Sequence, residues 1–154
     1  MMKKLVALML VVLMTLTMTA AVAEIEMIGD TNLSLDLGDL EIYELTDEDA
    51  EDGVVLFFGD EDESMLCLVM TYDAEGLTLQ ELAEEVMEDD ETITASGYTT
   101  INGIECFCVV SADDEGNYVV YLTVVDDTAV QFFFAYEEDS AELTGVVMNT
   151  LTLN

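Results

Sequence analysis

The sequence predicts an α+β domain: an antiparallel sheet of roughly six to eight strands, hairpins followed by a meander, with two main helices packed on it. Three observations carry this. Apolar residues recur at period two or in short unbroken runs, broken by Gly, Asp and Asn clusters that read as turns. A helical spacing of apolar residues appears in two places only, after Thr78 and after Ser140. The strands come in groups instead of alternating with helices, which argues for antiparallel pairing. With 154 residues and 52% apolar content the chain is long enough for one real core, and too hydrophobic for the disordered class despite its charge.

Residues 1–23 read as a signal peptide and residues 24–154 as a single domain. Lys3 and Lys4 precede an apolar run from Leu5 to Met14, more polar threonines follow, and Ala21-Val22-Ala23 ends the stretch just before Glu24. A basic start, a short apolar middle and small residues at Ala21 and Ala23 are what a signal peptidase accepts. No cysteine precedes Cys67, so lipid attachment at a signal-peptide cysteine is not available. The expected location is the cell envelope or the exterior, and not as a lipoprotein.

The domain elements follow in order. Leu33, Leu35 and Leu37 alternate, Gly38-Asp39 breaks the pattern, and Leu40 and Ile42 resume it, giving two short strands. Thr46 to Gly53 is an acidic connection with room for a helical turn. Val54–Phe58 and Met65–Met70 are nearly continuous apolar runs around the polar Gly59–Ser64, a hairpin whose strands are covered on both faces. Thr78-Leu79-Gln80-Glu81 fits a capping box, with Leu79, Leu82, Ala83 and Val86 forming one buried stripe. The run Glu88–Glu91 ends that helix, because anions are unfavourable at a helix C-terminus. A meander follows: Thr92–Ile101, the Asn102-Gly103 turn, Ile104–Ser111, Tyr118–Val125, and Thr128–Tyr136 across Asp126-Asp127. A last helix is capped by Asp139 or Ser140 and turns Leu143, Val146, Val147 and Thr150 or Leu151 inward, with Gly145 at a close contact.

This order of elements resembles the PsbP-like superfamily (PsbP, Mog and DcrB-like domains). The residues that carry the resemblance are Leu33-Ser34-Leu35-Asp36-Leu37, Leu77-Thr78-Leu79-Gln80-Glu81-Leu82 and Ile101-Asn102-Gly103-Ile104. It implies an α/β/α sandwich and an accessory or binding role, with no catalytic motif to carry over. The chain departs from typical members in having no proline, no arginine and no lysine after Lys4.

Charge then narrows the function. There are 35 acidic side chains against 2 lysines, with no histidine, a formal net charge of −33. On a sphere the size of the mature domain, neighbouring carboxylates lie ~11 Å apart, against a screening length of ~8 Å in physiological salt. Nucleic acid and anionic membrane surfaces are excluded as partners, since both need Lys or Arg. The absence of histidine removes Ser-His-Asp and Cys-His catalysis and imidazole zinc sites. The expected partner is a protein or a neutral or cationic ligand, and no cofactor is expected beyond weakly bound calcium. The weak divalent-cation candidates are Asp60, Glu61, Asp62 and Glu63, because calcium takes ~6–8 oxygens. Asp47 to Gly53 fails as an EF-hand, since its glycine is one place late and Phe58 stands where the bidentate Glu belongs. Cys106 and Cys108 share a strand face ~6.5–7 Å apart, too far to bridge unbent. Cys67 could bond either one if their strands are neighbours; otherwise the thiols are buried and free, or serve a redox or intermolecular role. Phe132, Phe134 and Tyr136 read as core or sheet surface, and Tyr43, Tyr72, Tyr98, Tyr118 and Tyr121 as contact residues. The reading that results is a small exported, acidic, non-enzymatic binding or accessory module. A carboxylate-dependent hydrolase and a purely structural or solubility role are the alternatives.

Overall fold

The computed structural model describes residues 25–87, 92–114 and 116–154. The expected signal peptide with Ala21 and Ala23, the run Glu88–Glu91 and Glu115 lie outside the described residues.

Strands β1 (Ile25–Met27) and β2 (Leu33–Asp36) open the described chain. After β3 (Glu41–Ile42) comes a five-residue helix, α1 (Asp47–Glu51), then the hairpin β4 (Val54–Gly59) and β5 (Met65–Asp73). Helix α2 (Leu79–Met87) leads to the meander β6 (Ile93–Ile101), β7 (Ile104–Asp113), β8 (Gly116–Val125) and β9 (Thr128–Tyr136). A 3₁₀ turn, helix α3 (Ala141–Met148) and β10 (Thr152–Leu153) finish it. The large sheet has seven strands in the order β3-β4-β5-β9-β8-β7-β6, all antiparallel. A second sheet has the order β1-β2-β10.

Both faces of the large sheet are buried along its middle strands β4, β5, β9 and β8, as the unbroken apolar runs required. One face packs Phe57, Leu68, Val120, Leu122 and Phe133 against Leu82, Ala83 and Val86 of α2. The other packs Phe58, Cys67, Val130, Phe132 and Phe134 against Leu33 and Leu35 of the small sheet and Val147, Met148 and Leu151 at the end of α3. The result is an α/β/α sandwich with the helices on opposite faces. The expected capping box forms: Thr78 N–H donates to Glu81 Oε2 at 2.8 Å and Glu81 N–H to Thr78 Oγ1 at 3.2 Å. A second box, Thr46 with Asp49, starts α1; Asp49 is the one buried carboxylate among the described residues, and it accepts from both N–H and Oγ1 of Thr46. Asn102 and Gly103 turn with φ +49° and +83°, and the Asn102 amide donates to the carbonyls of Asn149 and Leu151. The meander hairpin is thereby tied to the end of α3.

The two short strands expected over Leu33–Ile42 both form, β2 in the small sheet and β3 at the edge of the large one. Several expectations need correction. The stripe of α3 is rotated: Thr144, Val147 and Met148 are buried, whereas Val146 is 60% exposed. Thr144 can enter the core because its hydroxyl donates to Ala141 O at 2.8 Å, which leaves Val146 outside. Ser140 makes no capping hydrogen bond; its hydroxyl bonds Ser64 instead. Gly145 sits at no close contact, since an added Cβ meets nothing within 4 Å. Gly145→Ala is therefore expected to stabilise the protein by up to ~1 kcal/mol through helix propensity alone, read as a raised denaturation midpoint with unchanged slope.

Candidate functional site

The site is assembled where three segments meet over the α3 face of the sandwich. At the end of β2, Asp36 Oδ1 accepts from Gly38 N–H at 3.0 Å, and Leu40 N–H closes on Leu37 O at 2.9 Å. Gly38, at φ +52°, takes the left-handed conformation this turn requires. The β4–β5 turn is the second wall. Asp60 holds it by accepting from Met65 N–H at 3.0 Å and from the Ser64 hydroxyl. Helix α3 is the third wall. Ser140 at its start meets Ser64 Oγ at 2.6 Å, and Thr150 beyond its end receives Asp36 N–H at 3.0 Å.

Between these walls lies an open cleft of about 470 Å³. Leu37, Leu40, Leu143, Val146 and Val147 supply its apolar lining, and Asp36, Asp39, Asp60 and Glu61 its charged groups. Its volume falls in the ~300–1,000 Å³ range of small-ligand sites. Asp36 and Asp60 spend oxygens on their own turns, while Asp39 and Glu61 make no side-chain hydrogen bond among the described residues. An apolar floor with unneutralised carboxylates beside it suits a ligand with an apolar body and a positive head. A second open cleft, about 600 Å³, brings Asp30, Asp73, Asp126 and Asp127 around Tyr72. There, Asp73 and Asp127 accept from Glu75 N–H and Gly76 N–H, so these carboxylates again fix turns.

The four divalent-cation candidates are only partly brought together. Asp60 and Glu61 line the α3 cleft; Asp62 and Glu63 do not. Among the described residues, no three Asp, Glu or Cys side chains stand together as a metal-holding group. Asp60 already spends its oxygens on the Met65 N–H and the Ser64 hydroxyl, which hold the turn.

Cys67 and Cys106 are core residues, and Cys108 is half-buried in the sheet. Strands β9 and β8 separate β5 from β7, so Cys67 lies ~14 Å from the other two at ~4.8 Å per strand. That is beyond the ~7 Å Cα reach of a disulfide, and all three thiols are free. Burial pushes the Cys67 thiol well up and that of Cys106 up to about 11, so neither supplies a thiolate at neutral pH. Of the tyrosines expected as contact residues, Tyr43 and Tyr118 are in the core, Tyr121 is half-buried, and Tyr72 and Tyr98 are exposed. Tyr43 owes its place to Gly59, where a Cβ would stand 3.2 Å from the phenol oxygen and 2.7 Å from Met65 O.

Sequence reasoning missed Val146 as a site residue because it placed that side chain in the core. Its exposure beside Asp36 and Asp39 depends on the helix rotation and on a turn more than one hundred positions away in sequence. No helix among the described residues is long and apolar enough to cross a membrane.

No family model matches the sequence, and no curated protein does. Among solved structures, the chain is similar to the solution structure of cyanobacterial PsbP (CyanoP) from Synechocystis sp. PCC 6803. The TM-score is 0.63 at 10% identity, over 88% of this chain and 95% of that one. The seven-stranded antiparallel sheet, the layers on its two faces and this superposition together show that the chain has the PsbP-like fold.

Proposed function

We propose that the protein is a non-enzymatic binding or accessory module, exported to the bacterial cell envelope or exterior, that holds a cationic amphipathic ligand in the α3 cleft. The observation that carries this reading is the cleft lining: Val146 is 60% exposed beside Leu40 and Leu143, with Asp39 and Glu61 at hand. Exposed apolar surface next to uncompensated charge is stabilised when a ligand buries the first and neutralises the second. Export rests on the segment Lys3 to Ala23; cleavage there leaves β1 intact, since it begins at Ile25.

Octylammonium is the probe, with octanoate as the charge-reversed control and calcium chloride alone as the hard cation. Octylammonium is expected to shift the amide and methyl resonances of Leu40, Leu143 and Val146 saturably, and octanoate to leave them unmoved. Val146→Lys is expected to weaken octylammonium binding by about tenfold or more, the equivalent of ~1.4 kcal/mol. Equal response to octanoate, or shifts confined to other residues, defeats the cleft reading. Export is checked separately, by N-terminal sequencing of protein recovered outside the cytoplasm, which is expected to begin at Glu24.

A further inference from the structure

Among the described residues, the outermost strand of the large sheet presents a long open main-chain edge. Strand β6 runs nine residues, pairs with β7 on its inner side, and has no described segment on its outer side. Its residues Thr94–Thr100 are all exposed, and the stretch Ile93–Ile101 contains neither charge nor proline. The opposite edge strand, β3, has only two residues. Sheets normally guard an edge with shortness, proline, an inward-pointing charge or a covering segment. Here a register shift between Ile93 and Ala95 is the single irregularity in the β6–β7 ladder.

The pairing fixes which groups face outward. A two-residue turn makes Ile101 and Ile104 a hydrogen-bonded pair, and antiparallel ladders alternate from there. The N–H and C=O groups of Thr100, Tyr98 and Ser96 therefore point away from β7, three donor–acceptor sets along one line. Tyr98, 53% exposed, rests its ring on Phe107 at 5.0 Å and offers a flat surface beside that line.

Charge selects the occupant. A second copy brings another −33, and each copy carries an exposed Glu105 on β7, opposite Thr100 and one strand in from the edge. Asp113 and Asp114, both exposed, lie at the far end of β7, and Glu88–Glu91 precede β6 in sequence. A neutral strand in anionic surroundings repels its own kind and attracts a basic one. We propose that β6 is a strand-addition site for an extended segment of a partner protein bearing Lys or Arg, held by main-chain pairing at Ser96, Tyr98 and Thr100. This surface is separate from the α3 cleft and stands or falls independently of it.

The test titrates the isotope-labelled protein with the peptide acetyl-Lys-Val-Thr-Val-Thr-Val-Lys-amide, followed by nuclear magnetic resonance. Shifts are expected to centre on residues 93–101, with amide exchange at Ser96, Tyr98 and Thr100 slowed by about tenfold or more at saturation. The same peptide with Glu for Lys is expected to bind at least about tenfold more weakly. Ser96→Pro removes one outward N–H and keeps the inner ladder, and is expected to weaken binding by about tenfold. Should that variant melt early, Ser96→Lys, which places a like charge against the peptide, is read instead with the same expectation. Three results overturn the proposal: shifts centred away from β6, equal affinity for the Glu-ended peptide, or self-association through β6 in the absence of peptide.

Discussion

Raising sodium chloride from about 10 mM to about 0.5 M at pH 7 is expected to raise the melting temperature by ~10 °C or more, far above the response of a domain with mixed surface charge. The chain carries 35 carboxylates and two lysines, both lysines lying in the segment expected to be removed. Among the described carboxylates only Asp49 is buried, so nearly all the charge sits on one surface. At low salt the screening length is ~30 Å, comparable with the whole domain, and every carboxylate feels most of the others. Unfolding relieves this repulsion by spreading the charges along an expanded chain, so repulsion favours the unfolded state. At 0.5 M the screening length drops below the spacing between neighbours, and that advantage disappears. Tetramethylammonium chloride separates screening from cation binding: an equal rise with the bulky cation identifies screening. A melting temperature indifferent to both salts would show that the surface charge contributes nothing to stability.

Local signals in the sequence were reliable wherever one short segment determines its own conformation. The Thr78–Glu81 box, the Asn102-Gly103 turn and the four meander strands need only neighbouring residues, and all three form. The runs Val54–Phe58 and Met65–Met70 announced a sheet covered on both faces, because side chains alternate and both sets are apolar. What was not legible depends on partners remote in sequence. Strands β1 and β10 are three and two residues long and exist because each pairs with β2. Cys67 could have bonded Cys106 or Cys108 only in an unbroken β5–β7 neighbourhood, and β9 and β8 intervene. The rotation of α3 turned on a hydroxyl bond at Thr144, which let a polar residue displace Val146 from the core. The cleft inherits that illegibility, since it joins residues 36–40, 60–61 and 143–150. Only the acids at Asp60 and Glu61 were singled out from sequence, and for a hard cation instead of an amphipathic one.

The second large effect is expected at alkaline pH. Burial is the main cause that pushes Tyr43 from 10.0 to about 12, with Glu63, Glu41 and Asp60 adding to it. Burial likewise pushes Tyr121 to about 12 and Cys106 to about 11, and holds Cys67 well above its ordinary range. In each case the folded pKa exceeds the unfolded one, so the native state retains protons that the unfolded chain gives up. The stability these groups contribute is complete below about pH 8–9 and is lost as pH climbs toward 12. A melting temperature flat from pH 7 to about 8.5 and falling steeply beyond pH 9 is expected, because each ionisation also adds a negative charge to a surface already crowded with them. Tyr43→Phe isolates one contributor. Among the described residues the buried Tyr43 hydroxyl has no hydrogen-bond partner, so removing it is expected to leave the protein at least as stable at pH 7, by up to ~1–3 kcal/mol. The gain is expected to widen above pH 10, where the wild-type phenol resists ionisation only while the fold holds. A Tyr43→Phe variant that loses stability at pH 7, or whose alkaline midpoint matches the wild type, would show that the phenol oxygen has a partner and that its burial does not govern the transition.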